Sequence, residues 1–191
     1  MPSIIRETSR GFFQESLEDY AFARRRLLIA DKIDEAMATC VCLVLQYLAD
    51  QSRDEKITLL VNSYGGGVSA GLTIVDAIAA CPCPVTTVCL GTAASMASLI
   101  FMSGSERLML PNSQVMIHDP LIAETNGGSA LSMNALAEHL MQSRSKLASI
   151  ISERTGKTLD EVLEATGKQT YFDAPSAIEW GIADRIVESF E

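Results

Sequence analysis

Histidine is almost missing from these 191 residues, with only His118 and His139, and there is a single tryptophan. A histidine-built metal site is therefore not expected, and cysteine does not supply one. The five cysteines include one close pair, Cys81-Pro82-Cys83, but no second Cys or His pair at zinc-finger spacing. Their odd number argues against a disulfide framework and for a reduced, cytoplasmic chain with thiols in its interior. Basic charge is also scarce. Fifteen Lys and Arg face 24 Asp and Glu, a net charge of −9, and nine acidic against four basic residues lie from Glu153 onward. Nucleic-acid binding depends on neutralising phosphates, so it is not expected. The one basic run, Arg24-Arg25-Arg26, stands near Glu18 and Asp19 and reads as a solvated edge. No apolar run reaches the roughly 18 residues of a membrane span, and Met1–Arg10 shows no charged-then-apolar leader. The Gly65-Gly66-Gly67 run is neither a dinucleotide fingerprint nor a P-loop, and no cofactor is expected.

What the chain does have is apolar sequence, 48% of it, with a mean hydropathy of +0.19. That is enough for one sizeable core and hints at surface buried between subunits. Short apolar runs alternate with helical periodicity. Strands are expected at 27–30, 57–61, 85–90, 107–110, 115–117 and 185–187. Helices are expected at 34–49, 68–80, 95–102, 132–155, 159–165 and 174–180, with Pro82 and Pro84 breaking the chain after the second. Alternation of this kind means right-handed crossovers and a largely parallel sheet, whose site lies beyond the carboxyl ends of its strands. The glycine run, Ser95 and His118 all fall at such ends.

Ser95 follows one strand and His118, 23 residues later, ends another. A hydroxyl is a poor nucleophile until a base takes its proton, and a serine and a histidine on neighbouring strand tips suit acyl transfer. Unpaired amides at the helix start after Ser95, and in the glycine run, suit a developing oxyanion. Each residue also has an ordinary reading. Ser95 is well placed as a helix N-cap, His118 as a structural histidine, and the glycines as a tight turn.

Asn62-Ser63-x-Gly65-Gly66, Gly91-x-Ala93-Ala94-Ser95-Met96 and Met116-Ile117-His118-x-Pro120 resemble the ClpP peptidase family, the proteolytic subunit of the ATP-dependent Clp protease. Glu7-Thr8-Ser9-Arg10-Gly11 and Ala174-Pro175-x-Ala177 extend the resemblance over nearly the whole chain. It implies an α/β, ClpP/crotonase fold with β-β-α type units, a largely parallel sheet and a long protruding helix. It also implies one domain, 1–191, with residues 1–20 as an axial segment and about 122–155 as an inter-ring handle. By the same resemblance Ser95 is the nucleophile, His118 the general base, and the amides of Gly66 and Met96 the oxyanion hole. The partners implied are other ClpP-type subunits in heptameric rings stacked as a tetradecamer, an AAA+ unfoldase, and unfolded polypeptide as substrate.

The chain departs from the family in four places. Gln169 stands where the family has its triad aspartate; Asp173 is favoured as the substitute over Asp119, whose side chain should point to the opposite face from His118. Thr58, Leu60 and Ala80 stand where aromatic residues receive the unfoldase loop, which weakens that anchor. Tyr64 replaces a proline, and Ile122–Leu131 lacks the arginine that pairs across the rings. Two rival readings remain: a weakly active or inactive paralogue serving as a structural subunit of a mixed assembly, and a crotonase-like acyl-CoA enzyme with an acidic base near the hole.

Overall fold

The computed structural model of the chain describes residues 3–9, 11–121 and 128–189. It begins with an antiparallel hairpin, β1 (Ser3–Thr8) and β2 (Gly11–Ser16), which the composition of the first residues did not predict. Phe12 and Phe13 stand exposed on it, so it lacks the one-sided alternation that marks a strand over a core. A short helix, α1 (Leu17–Phe22), is capped by the Ser16 side chain.

Strands and helices then alternate as expected: β3 (Arg26–Ala30), α2 (Glu35–Gln51), β4 (Ile57–Ser63), α3 (Val68–Ala80), β5 (Val85–Ala94), α4 (Met96–Met102), β6 (Glu106–Met109) and β7 (Gln114–Ile117). The Asp34 carboxylate accepts from the Met37 amide and starts α2. The second half runs α5 (Ala130–Thr155), α6 (Leu159–Thr166), β8 (Thr170–Asp173), α7 (Ala174–Glu179) and β9 (Arg185–Ile186). The segment β6–β7–α5 is a β-β-α run; most other units are single β-α steps.

The main sheet has the order β3-β4-β5-β6-β9, all parallel, with β7 added beside the far end of β5 and β8 antiparallel to β7. Ile57, Leu59 and Val61 alternate into the core from β4, whereas β5 is buried on both faces up to Leu90. Fully burying one such isoleucine or leucine contributes about 1.5–3 kcal/mol. Ile74, Phe101 and Ile151 close the layer from α3, α4 and α5.

Two expectations need correction. Arg25 is not a solvated edge: its guanidinium donates to the carbonyls of Leu48 (2.9 Å), Ser52 (3.1 Å) and Glu55 (3.0 Å), bracing the end of α2 against the start of β4. The thiols divide differently, with Cys83 and Cys89 buried, Cys42 and Cys81 half-buried and Cys40 exposed; all five are free. In α5 only Leu147, Ala148 and Ile151 are buried, so Leu131, Met133, Leu136 and Met141 lie exposed on its first half. The missing arginine concerns a stretch of which 122–127 lie outside the described residues.

Candidate active site

β5 changes partner halfway along. Its first half pairs with β6, and its second half with β7 in the register Thr92 to Gln114, Ala93 to Val115 and Ala94 to Met116. That register delivers the next residues, Ser95 and His118, to one edge. The Ser95 amide donates to the Met116 carbonyl at 2.9 Å, tying the serine to the strand that carries the histidine.

Ser95 has φ 56° and ψ −126°, a conformation that favours glycine and holds about 1–3 kcal/mol of strain. Its carbonyl is gripped by the Ser98 amide (3.0 Å) and the Ser98 hydroxyl (2.6 Å). Ser95 does take the N-cap position of α4, but its hydroxyl makes no capping bond. Instead its Oγ lies 2.8 Å from His118 Nε2. With the ring proton on Nδ1, Nε2 accepts from the hydroxyl.

The glycine run packs directly against this turn. Gly65 has φ 98°, and a Cβ there would stand 2.7 Å from the Ala94 carbonyl oxygen and 2.8 Å from Ser95 Cβ. Gly65→Ala should therefore destabilise the fold by about 3 kcal/mol through strain and overpacking, and should displace Ser95. Thermal unfolding and labelling by a serine-directed phosphonate read the two effects separately. Around it the amides are mostly taken. Gly65 donates to Ser63 Oγ (3.1 Å), Gly67 to the Ile33 carbonyl (2.8 Å) and Ser95 to Met116. The amides of Gly66 and Met96 have no acceptor among the described residues, and both residues line the same cleft as Ser95.

That cleft encloses about 190 Å³, with Leu99, Ile117, Leu147 and Ile151 as apolar walls. Burial holds the His118 imidazole below its ordinary value of 6.5, while the Asp119 carboxylate and backbone pull it partly back. The ring is thus neutral near pH 7, the state a base requires. His139 is exposed on α5.

The third group is where the sequence reading misses. Asp173 pairs in register with Gln114, four residues from His118 along β7, or about 13 Å at strand rise. Its carboxylate accepts from the Ser176 amide (3.0 Å) and hydroxyl, capping α7, and those bonds hold its pKa below the usual value. Asp173 is therefore no substitute. Asp119 does lie in the cleft, because the β7 ladder has ended and strand alternation no longer applies; its carboxylate takes the Arg144 Nε at 2.6 Å. Gln169 is exposed, and its Oε1 accepts from the Tyr171 hydroxyl at 3.4 Å. Among the described residues no carboxylate is hydrogen-bonded to His118. Arg144 and Thr166 in the cleft wall were not foreseen; Ser98, three residues after Ser95, had a local spacing that could have been noticed.

Elsewhere Thr58 and Leu60 share a groove of about 110 Å³ rimmed by Arg24, Arg26 and Lys56, with no aromatic side chain lining it among the described residues; Ala80 lines a different hollow beside Cys81. Tyr64 is exposed. Among the described residues no three His, Cys, Asp or Glu side chains gather as a metal-ligand set, and no helix is long and apolar enough to cross a membrane.

The family model of the Clp protease matches residues 13–190, which takes in the whole main sheet and every residue of the cleft. At family level this carries peptidase chemistry and assembly with other ClpP-type subunits. The chain belongs to the Clp protease family.

Proposed function

We propose that this chain is a serine endopeptidase subunit that cleaves unfolded polypeptide through an acyl-enzyme. The observation that supports it most is the 2.8 Å approach of Ser95 Oγ to His118 Nε2 beside the unpaired amides of Gly66 and Met96. As Ser95 Oγ attacks a peptide carbonyl, Nε2 takes its proton, and the carbonyl oxygen becomes an oxyanion facing the two amides. The imidazolium then gives that proton to the leaving amine, which departs and leaves an ester on Ser95. Water, deprotonated by the same nitrogen, hydrolyses the ester and restores the hydroxyl.

The exposed apolar residues on the first half of α5 and on the hairpin suit burial between subunits, in heptameric rings stacked as a tetradecamer. An AAA+ unfoldase would dock weakly in the Thr58–Leu60 groove, which offers no aromatic anchor among the described residues. Net charge and free thiols suit a cytoplasmic setting without nucleic-acid partners.

One observation favours a second reading: among the described residues no carboxylate holds His118, so the chain would be a weakly active or inactive paralogue serving as a structural subunit of a mixed assembly. Titrating the purified native particle with a serine-directed aryl phosphonate separates the two. We expect close to one label per chain in a particle of ring-assembly mass. No labelling at any time would eliminate the peptidase proposal, and labelling of only a small fraction would favour the second reading.

A further inference from the structure

Asp119, the residue after the histidine, is held from three sides. Its amide donates to the Thr166 carbonyl at the end of α6 at 2.8 Å, and its carboxylate takes Arg144 Nε from α5 at 2.6 Å. Pro120 confines the residue before it to extended backbone. Arg144 is itself steadied, since its Nη2 donates to the Leu163 carbonyl at 3.4 Å. Asp119, Pro120, Arg144 and Thr166 all line the cleft of Ser95 and His118. A connection that merely led the chain away from β7 would need no such grip.

The ring beside it lacks a partner of the expected kind. Nε2 faces Ser95 Oγ at 2.8 Å, so Nδ1 carries the proton and needs an acceptor. Gln169 turns its Oε1 to the Tyr171 hydroxyl, and no carboxylate is bonded to the ring among the described residues. The Asp119 backbone does bond to the ring, and it favours the charged form. An acceptor has that effect and an amide donor does not. The Asp119 amide is spent on Thr166, which leaves its carbonyl.

We propose that Asp119 and Arg144 together position His118 where a triad carboxylate is missing: the Asp119 carbonyl accepts a hydrogen bond from Nδ1–H, and Arg144, gripping the Asp119 carboxylate, fixes that carbonyl against the ring. The inference rests on the peptidase proposal. Orientation and charge are separate contributions here. The carbonyl holds the tautomer and the aim of the ring, so Nε2 stays turned to Ser95. It brings no net charge, and Arg144 offsets the charge of the carboxylate beside it. The imidazolium therefore gains direction without the stabilisation of an unpaired anion, which leaves position 169 free to add one. Asp119 and Arg144 are the charged groups that line the cleft among the described residues. Lys168, on the turn into β8, is exposed outside it.

The test reads fluorogenic peptide hydrolysis by the native particle in two single variants and their combination. Arg144→Met keeps an apolar stem in the cleft wall and removes the grip. It should lower kcat about tenfold with KM changed less, short of the ~10² that a 1 Å misplacement costs, because Thr166 still holds the Asp119 amide. The acid limb of kcat/KM supplies the sign, since activity is lost as pH falls through the His118 pKa. Arg144→Met leaves an unneutralised carboxylate beside the ring, which favours the imidazolium, so the limb should move to higher pH. Asp119→Asn removes that carboxylate and leaves the arginine, so the limb should move to lower pH. The double variant should bring it back near the wild-type position. A pair that only closes the fold would move the limb in neither. Limbs that stay put, or that move in one direction, overturn the inference, as does an undiminished kcat in Arg144→Met. Should the methionine variant not fold, the nearly isosteric Asp119→Asn decides alone: a limb that stays or rises overturns it. Any of these results with an active wild type sinks this inference only. A wild type that neither hydrolyses peptide nor takes the phosphonate label sinks the peptidase proposal and this inference with it.

Discussion

Ser95→Ala should abolish peptide hydrolysis and phosphonate labelling together. Nucleophile and base act as one unit, and losing either member of such a pair lowers kcat by about 10⁶-fold, with a residue of about 10³–10⁴ over water left to the oxyanion donors and binding. A variant that keeps wild-type hydrolysis would mean that the 2.8 Å contact with His118 is structural. The fold should tolerate the change, since the hydroxyl caps no helix and alanine keeps the same backbone angles. Ser95→Gly offers a contrasting readout. Glycine relieves about 1–3 kcal/mol of strain at φ 56° and loses about 0.4–1 kcal/mol through a freer unfolded chain. The balance favours the variant by about 1 kcal/mol, or some 2–4 °C in Tm for a chain of this size. An equally inactive but more heat-resistant Gly variant would mark the strain at Ser95 as held for function.

The same turn explains how far the sequence could be read. Ser95 and His118 were legible because each ends an apolar run, and in a parallel sheet those ends share one edge. The end of β5 was not. The apolar pattern breaks at Gly91, which reads as the exit into a helix, yet the strand continues to Ala94. Gly91 marks a close approach instead: a Cβ there would stand 2.7 Å from Asn62 Oδ1, the atom that accepts from the Thr92 amide at 3.1 Å. Similarly, β8 went unread because its four residues lack a one-sided apolar pattern and take their strand form from pairing with β7. Arg25 was misread because its partners are carbonyls 23 to 30 residues away, and nothing in a run of three arginines marks the middle one for burial.

The pairing of β7 with β8 also decides what Gln169 can do. The antiparallel ladder closes at Ile117 and Thr170, so His118 and Gln169 each directly follow its last pair. The present amide carries no charge to steady the imidazolium, and a carboxylate at 169 would bring one to that end of the ladder. Gln169→Asp should raise kcat. The gain should fall well short of the ~10⁴ that the aspartate is worth in a buried triad, because position 169 is exposed and solvent screens its charge; about tenfold is expected. Little structure is given up, since among the described residues the Gln169 side chain makes only a 3.4 Å bond from the Tyr171 hydroxyl. The pH profile supplies an independent sign. A base works in its neutral form, so activity is lost as pH falls through the His118 pKa, which burial holds below 6.5 in the native chain. A neighbouring carboxylate favours the imidazolium and raises that pKa, so the acid limb of kcat/KM should move to higher pH in the variant as its plateau rises. A higher plateau with an unmoved acid limb would place the gain elsewhere than at His118. Neither change would mean that Asp119, through its carboxylate or its backbone, already orients the ring.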